Sequence, residues 1–195
     1  MEDLNNEYYM LYPDNNPNYP MIIASLRPNS IESYVTGKYN LAILRDDPMP
    51  KKPQYVDYHS SGSTPVISKK FVDALSELNI YRVQTLKGTT GDVIEELKLD
   101  YYMLHVFNFI NAIDIEKSVV DLSSNSKRVV DVESYSLDSE KLSKIPIEKR
   151  LVFILDEYPV FYLFHQTVVD HLEQYDLKGH RFIPVSKWND DAHFD

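Results

Sequence analysis

The sequence predicts an α+β fold, mainly an antiparallel or mixed β-sheet, with two short helices. Strand-like segments outnumber helix-like segments along the chain, and two stretches repeat the same order of strand, short helix and strand. The first copy covers residues 65–86 and the second covers residues 161–185. Because no candidate catalytic group recurs between the copies, the repeat predicts a structural frame rather than a duplicated active site.

The alignment of the copies sets Ser68 against His165 and adds Lys178 and Gly179 to the second copy. Ser68 is suited to cap the first helix, because its hydroxyl can accept a bond from a free N–H of the first turn. Gly179 suits the left-handed backbone that follows a helix. Identical residues meet at four positions, which are Val72 and Val169, Asp73 and Asp170, Leu75 and Leu172, and Arg82 and Arg181.

Three short strands are predicted before the first copy, at residues 8–12, 21–26 and 39–44. Residues 45–64 carry Pro48, Pro50 and Pro53 and then a Ser- and Gly-rich stretch, which predicts a linker and a mobile surface loop. We therefore expect a single domain over residues 1–195. Its alternative division is a β-rich N-terminal lobe at 1–60 and a repeat-containing core at 61–188.

From the first copy onward, hydrophobic periodicity predicts the elements. Phe71, Val72, Leu75 and Leu78 form an apolar stripe at helical spacing. The strongest strand signal lies at residues 101–114, where aromatic and β-branched residues leave few polar positions. The other expectations are a strand at 81–86, a turn at 87–91, a weak strand at 128–132 within the polar stretch 121–144, a hairpin of 151–155 and 160–164, a helix at 167–175 and a closing strand at 181–185.

Composition excludes several classes of function. The formal net charge of −10 opposes nucleic-acid binding, since phosphates are neutralised by a basic surface. Cysteine is absent, which excludes disulfides and thiolate chemistry and fits a cytoplasmic protein. No apolar stretch has the length of a membrane span, so we expect no membrane partner. An acidic surface instead favours attraction to basic partners.

Candidate metal, phosphate and covalent sites fail on spacing. His165 and His171 stand six residues apart, which places them on different faces of a helix. The stretch Gly88-Thr89-Thr90-Gly91 lacks the Lys-Ser/Thr ending of a phosphate loop and predicts a turn. Neighbouring acids such as Glu95 and Glu96 predict solvated charge. We therefore expect no catalytic residue, no metal and no cofactor.

Two classes of function stay open at this point. One is a small hydrolase, and the second is a non-catalytic scaffold or oligomerisation module. The internal repeat favours the scaffold. The least implausible catalytic nucleus lies along the strongest strand signal, and its residues are His105, Asn108, Asn111 and Asp114. Alternation along a strand splits this set between two faces, which favours hydrogen-bonding roles in the core.

A family resemblance is carried by the order of the elements and by a set of residues, namely Tyr101, Tyr102, Leu104, Val106, Asn108, Ile113, Asp114, Ser118, Gly179, Phe182 and Val185. With these features the chain resembles immunity-protein family 11 of bacterial polymorphic toxin systems, over about residues 64–188. The resemblance implies an interaction protein that binds and neutralises a toxin delivered by the bacterium itself or by its kin, and it assigns no catalytic residue.

The expected mechanism is occlusion of the toxin's active site by acidic and aromatic side chains. The expected partner is a cognate toxin with a basic active-site surface, which acidic residues would attract. The predicted contact surface combines the 45–64 loop with the turn at 88–96, and its residues are Asp46, Asp47, Tyr55, Asp57, Tyr58, Asp92, Glu95 and Glu96.

Overall fold

The computed structural model describes residues 3–27, 33–36, 40–45, 48–61, 64–90, 100–125 and 128–189. Strands outnumber helices in these ranges and pair in both antiparallel and parallel directions, which confirms the α+β class. Every helix described there is too short to span a lipid bilayer.

The strands are β1 (Tyr8–Pro13), β2 (Ile22–Arg27), β3 (Asn40–Arg45), β4 (Tyr58–Ser61), β5 (Thr64–Ser68), β6 (Val83–Lys87), β7 (Thr89–Thr90), β8 (Tyr101–Val106), β9 (Phe109–Ile110), β10 (Val119–Leu122), β11 (Val129–Ser134), β12 (Val152–Leu155), β13 (Tyr162–His165) and β14 (His180–Pro184). The helices are α1 (Lys69–Ser76), α2 (Ser139–Ser143) and α3 (Gln166–Leu172). Short 3-10 turns lie at Leu4–Asn6, Ile147–Lys149, Glu173–Tyr175 and Val185–Lys187.

The repeat forms two units with the same topology. The first copy is β5–α1–β6 and the second is β13–α3–β14, as predicted. In each copy the two strands lie on either side of a third strand that runs antiparallel to both, β8 in the first unit and β1 in the second. A preceding hairpin strand, β4 or β12, extends each sheet at the same edge. The strand orders β4-β5-β8-β6 and β12-β13-β1-β14 therefore correspond position by position.

The two repeat helices begin with side-chain caps at equivalent positions. The Oγ of Ser68 accepts a hydrogen bond from the backbone N–H of Phe71 at 3.2 Å, which confirms the predicted cap. In the second copy, Nδ1 of His165 accepts from the N–H of Thr167 at 3.2 Å. Because a cap satisfies a backbone donor that the helix cannot, the imidazole takes over the task of the serine hydroxyl.

A central hydrophobic cluster joins the two units. Phe71 and Leu104 from the first unit, and Phe164 and Val168 from the second, are fully buried in it. Each such side chain contributes about 1.5–3 kcal/mol by leaving water. The helices also touch through a polar contact, since Nε2 of His171 donates to the carbonyl of Ala74 at 2.9 Å. The internal repeat therefore packs against itself within one chain.

The outer face of each unit is covered by different elements. The sheet β2-β3-β7 covers the first unit, where Ile22 and Ile43 join Val66 in a second cluster. The second unit packs against β11 and α2, whose Val132 and Leu142 join a third cluster. The unrepeated segments of the chain thus close both ends of the repeated core.

The strongest strand signal does not form one strand. Residues 101–114 give β8 and β9, which belong to different sheets, and the chain changes sheet between them at Asn108. The Asn108 amide donates to the carbonyls of Lys149 and Val152, each at 2.9 Å. These bonds direct the chain toward β12, with which β9 pairs in parallel. A buried polar side chain therefore divides an otherwise continuous apolar run.

Two further expectations are corrected, and a third, the weak strand at 128–132, is confirmed as β11. The proposed linker at 45–64 contains β4, because Tyr58 and His59 point into separate buried regions and require a strand there. The turn at 87–91 contains β7, whose residues pair in parallel with β3. The polar stretch at 121–144 holds β10, β11 and α2, and Asp138 caps α2 by accepting from the N–H of Lys141 at 3.0 Å. How the chain divides into domains stays a prediction.

Candidate binding surface

Five of the predicted contact residues lie outside the described residues, namely Asp46, Asp47, Asp92, Glu95 and Glu96. Of the other three, Asp57 and Tyr58 lie where the two units meet. Tyr58 is 3% exposed in the central cluster, and Tyr55 packs against the cluster under β2 and β3. Burial raises the pKa of Tyr58, so its hydroxyl stays neutral. These two tyrosines contribute to packing, and their part in partner binding stays a prediction.

Asp57 joins the two units through its carboxylate. Its Oδ1 accepts from the Ser68 hydroxyl at 2.6 Å, and its Oδ2 accepts from the backbone N–H of Lys178 at 2.9 Å. Its carbonyl also accepts from the N–H of Ser68 at 2.8 Å. The carboxylate therefore holds the start of α1 next to the turn before β14. Because both of its carboxylate oxygens accept hydrogen bonds from the same chain, Asp57 mainly stabilises the fold.

The proposed catalytic nucleus is dispersed into separate hydrogen bonds. His105 is 1% exposed, and its Nε2 donates to the carbonyl of Ser33 at 2.9 Å. The Asn108 side chain is hydrogen-bonded at the turn between β8 and β9, while Asn111 is exposed. A hydrogen bond from Lys117 lowers the pKa of Asp114, which therefore stays ionised on the surface. Because the strand breaks, these four side chains do not converge.

Gly88, which directly follows β6, serves packing, while Gly91 lies outside the described residues. A Cβ atom at Gly88 would lie 2.5 Å from Cγ1 of Ile43, closer than real carbon atoms approach. The missing side chain allows β7 to pair beside β3. Among the described residues, no group of three or more His, Asp or Glu side chains is arranged to hold a metal ion.

An open cavity of about 290 Å³ lies at the seam between the units, and we call it the tyrosine cavity. It opens between β1 and β13 of the second unit and β4 and β5 of the first. Its described lining residues carry no formal charge, and they are Leu11, Tyr12, Pro13, Met21, Tyr58, Ser60, Pro65, Val160, Phe161 and Tyr162. Met21 and Val160 line it while remaining 43% and 41% exposed. Sequence reasoning missed this cavity because its lining comes from five separate stretches without a motif.

The strands β10 and β11 form a separate two-stranded sheet, which we call the acidic ribbon. Asp121 lies directly opposite Asp131 across the two strands. Like charges in that position destabilise a sheet by about 0.2–1 kcal/mol. Within the described part of the chain, neither carboxylate forms an ion pair with a basic side chain. Oδ1 of Asp131 accepts a hydrogen bond from the N–H of Val132 at 3.0 Å, and both carboxylates are exposed. The two acids therefore form a local negative patch that a cation from a partner can bridge.

The acidic ribbon also exposes apolar side chains. Val119, Leu122 and Val130 are 52%, 43% and 54% exposed, while Val129 and Val132 anchor the ribbon in the core below. No third strand pairs with either edge among the described residues. Exposed apolar groups beside acids, on a ribbon with open edges, are typical of a surface that contacts another protein.

An aromatic cluster connects the acidic ribbon to the tyrosine cavity. Tyr135 directly follows β11 and stacks on Phe161, with ring centroids 6.0 Å apart. Phe161 lines the cavity and also contacts Trp188 at 4.8 Å between ring centroids. The base of the ribbon and the cavity are therefore separated by one pair of stacked rings.

No family model matches the sequence. No curated protein matches it either.

Proposed function

We propose that the chain is an immunity protein that binds a basic toxin and blocks its active site. The observation that carries the proposal is the acidic ribbon, where Asp121 opposes Asp131 beside exposed apolar side chains. The resemblance over residues 64–188 supports the same function. The proposal places the protein in the cytoplasm, where it would meet a toxin that had entered the cell.

The ribbon supplies the two kinds of contact that a tight inhibitor needs. A Lys or Arg of the toxin placed between Asp121 and Asp131 would remove their mutual repulsion and form charge-assisted hydrogen bonds. The net charge of −10 would speed the encounter with a cationic partner at low salt. Val119, Leu122 and Val130 would then leave water against the toxin surface. If the basic residues of the toxin line its active site, the chain bound to them would block that site.

Reversing the two ribbon charges tests the proposal. We expect the double variant Asp121→Lys and Asp131→Lys to bind the product of the neighbouring toxin gene about tenfold or more weakly than wild type, because two charge contacts become repulsive. The dissociation constant, measured by calorimetry at two salt concentrations, should also lose most of its salt dependence. Rescue of growth in cells that express the toxin should fall in parallel.

The matched control is the double variant Glu148→Lys and Glu173→Lys. Both residues are exposed and lie outside the ribbon and the cavity, and the double variant changes the net charge by the same amount. It should bind and rescue as the wild type does. If both double variants weakened toxin binding equally, the loss would be explained by overall charge, and the ribbon would have no specific role. Failure of the wild-type protein to bind or rescue would refute the function.

A further inference from the structure

We infer that the tyrosine cavity receives an aromatic side chain of the basic partner. The inference rests on the proposed function and names the second contact of the same surface. It follows from the shape of the cavity, from the chemistry of its lining and from its distance to the acidic ribbon.

The shape favours a side chain that projects from a protein over a free small molecule. A volume of about 290 Å³ accommodates one aromatic ring, but the cavity opens to solvent. Free ligands bind where about 70–90% of their surface is buried. Here Met21 and Val160 expose apolar surface around the opening. The surface of a partner protein that surrounds an inserted ring would cover these residues, as the neighbours of a central hot-spot residue do.

The lining selects a neutral ring. Tyr12, Tyr58 and Tyr162 supply aromatic surface, and the hydroxyls of Tyr58 and Ser60 bond each other. Burial raises the pKa of Tyr58 and of Tyr162 above the ordinary value of 10, so the lining is neutral at physiological pH. A charged side chain would lose its hydration here without gaining an opposite charge among the described lining residues. An uncharged aromatic ring can pack edge to face against the tyrosines.

The position makes simultaneous contact possible. Phe161 lines the cavity and stacks on Tyr135, which continues directly from β11. Asp131 lies four residues before Tyr135, about 13 Å along an extended strand, so a partner that covers the ribbon from Asp131 to its base reaches the cavity lining. Two contacts on one surface restrain the orientation of the toxin as well as its affinity.

The test closes the cavity at its opening. Val160→Trp places a large ring over the opening, and Ile147→Trp is its control, because Ile147 is 40% exposed and lies outside both the cavity and the ribbon. We expect Val160→Trp to weaken toxin binding about tenfold or more, as loss of a central anchor does. Ile147→Trp should leave the dissociation constant unchanged. Met21→Trp, on the other side of the opening, should repeat the loss, and melting temperatures near wild type should show that all three variants fold.

A second measurement uses the chain without toxin. We expect p-cresol, the side chain of tyrosine, to shift the methyl NMR signals of Val160 and Met21 at millimolar concentration, and Val160→Trp to abolish these shifts. Nanomolar or micromolar binding of p-cresol would instead indicate a small-molecule site and overturn the inference. If ribbon reversal weakens toxin binding while both tryptophan variants leave it intact, the cavity has no anchor role and the proposed function still stands. If the wild-type chain binds no toxin, the function and the inference fall together.

Discussion

Replacing Gly179 by alanine is expected to lower the free energy of unfolding by about 3–5 kcal/mol, because backbone strain and steric overlap act at the same residue. Gly179 has a φ of 93°, which L side chains rarely adopt. An added Cβ would lie 2.4 Å from Cγ2 of Val56 and 2.5 Å from the carbonyl oxygen of Tyr58. Backbone atoms yield less than side chains, so this overlap is not relieved by a change of rotamer.

The surroundings of Gly179 explain why its loop cannot move away. Its carbonyl accepts from the N–H of Asp14, and the carbonyl of Lys178 accepts from the N–H of Tyr58. These bonds hold the end of β1 and the start of β4 against the turn before β14, where the two repeat units meet. Displacing the turn would break them and expose the central cluster.

Chemical denaturation measures this effect, with Gly88→Ala as the control. The Cβ overlap at Gly88 involves the side chains of Ile43 and Leu41, which can shift, and Gly88 has no positive φ. We expect that control to cost about 1–3 kcal/mol. If Gly179→Ala lowered the free energy of unfolding by no more than Gly88→Ala does, the result would contradict a tight junction between the units.

The second large effect is a loss of stability in mild acid. Burial lowers the pKa of His59 and of His180 from 6.5 to about 4. Between pH 6.5 and about 4, both histidines are protonated in the unfolded chain but neutral in the folded chain. The free energy of unfolding therefore decreases as the pH falls through this range, and the contribution of the histidines is fully present above pH 6.5. Each histidine contributes up to about 3 kcal/mol.

His59 is held in one neutral form by its partners. The N–H of Val56 donates to Nε2 at 3.0 Å, so Nδ1 carries the proton and donates to the carbonyl of Pro20 at 2.8 Å. A second proton on Nε2 would break the bond from Val56 and place a charge on a side chain that is only 2% exposed.

The measurement is the slope of unfolding free energy against pH between 4.5 and 6. His59→Gln should reduce that slope by about 1.4 kcal/mol per pH unit where it is steepest, the value for one proton. Carboxylates such as Asp3 and Asp138 have a pKa below the ordinary value of 3.8. Their protonation therefore changes the free energy of unfolding mainly below pH 3.8, outside the range of this measurement. An unchanged slope in His59→Gln would show that His59 takes up its proton without unfolding.

The strands and helices that hydrophobic periodicity could predict are those whose pattern is local. The stripe of Phe71 and Leu75, the Ser68 cap and the second copy of the repeat follow from spacing, and the structure confirms them. The break at Asn108 could not be predicted in this way, because it depends on carbonyls of Lys149 and Val152 far along the chain. Similarly, nothing local indicates that β1 completes the second unit.

The proposed binding surface is less predictable from the sequence than the fold. Composition favours the acids and tyrosines of residues 45–64 as partner contacts, yet Asp57 and Tyr58 contact other parts of the same chain. The acidic ribbon lies partly in the polar stretch 121–144, for which the sequence predicts at least one weak strand, at 128–132. Its main feature is the register that sets Asp121 against Asp131, and register depends on pairing across a hairpin with two irregularities.

Hydrogen–deuterium exchange of the chain with and without its toxin tests the central claim most directly. We expect toxin binding to slow exchange in β10 and β11, whose outer edges pair with no other described strand, and at residues 160–162 beside the cavity. Protection confined to α1 and β6, with the acidic ribbon exchanging as in the free protein, would contradict the account.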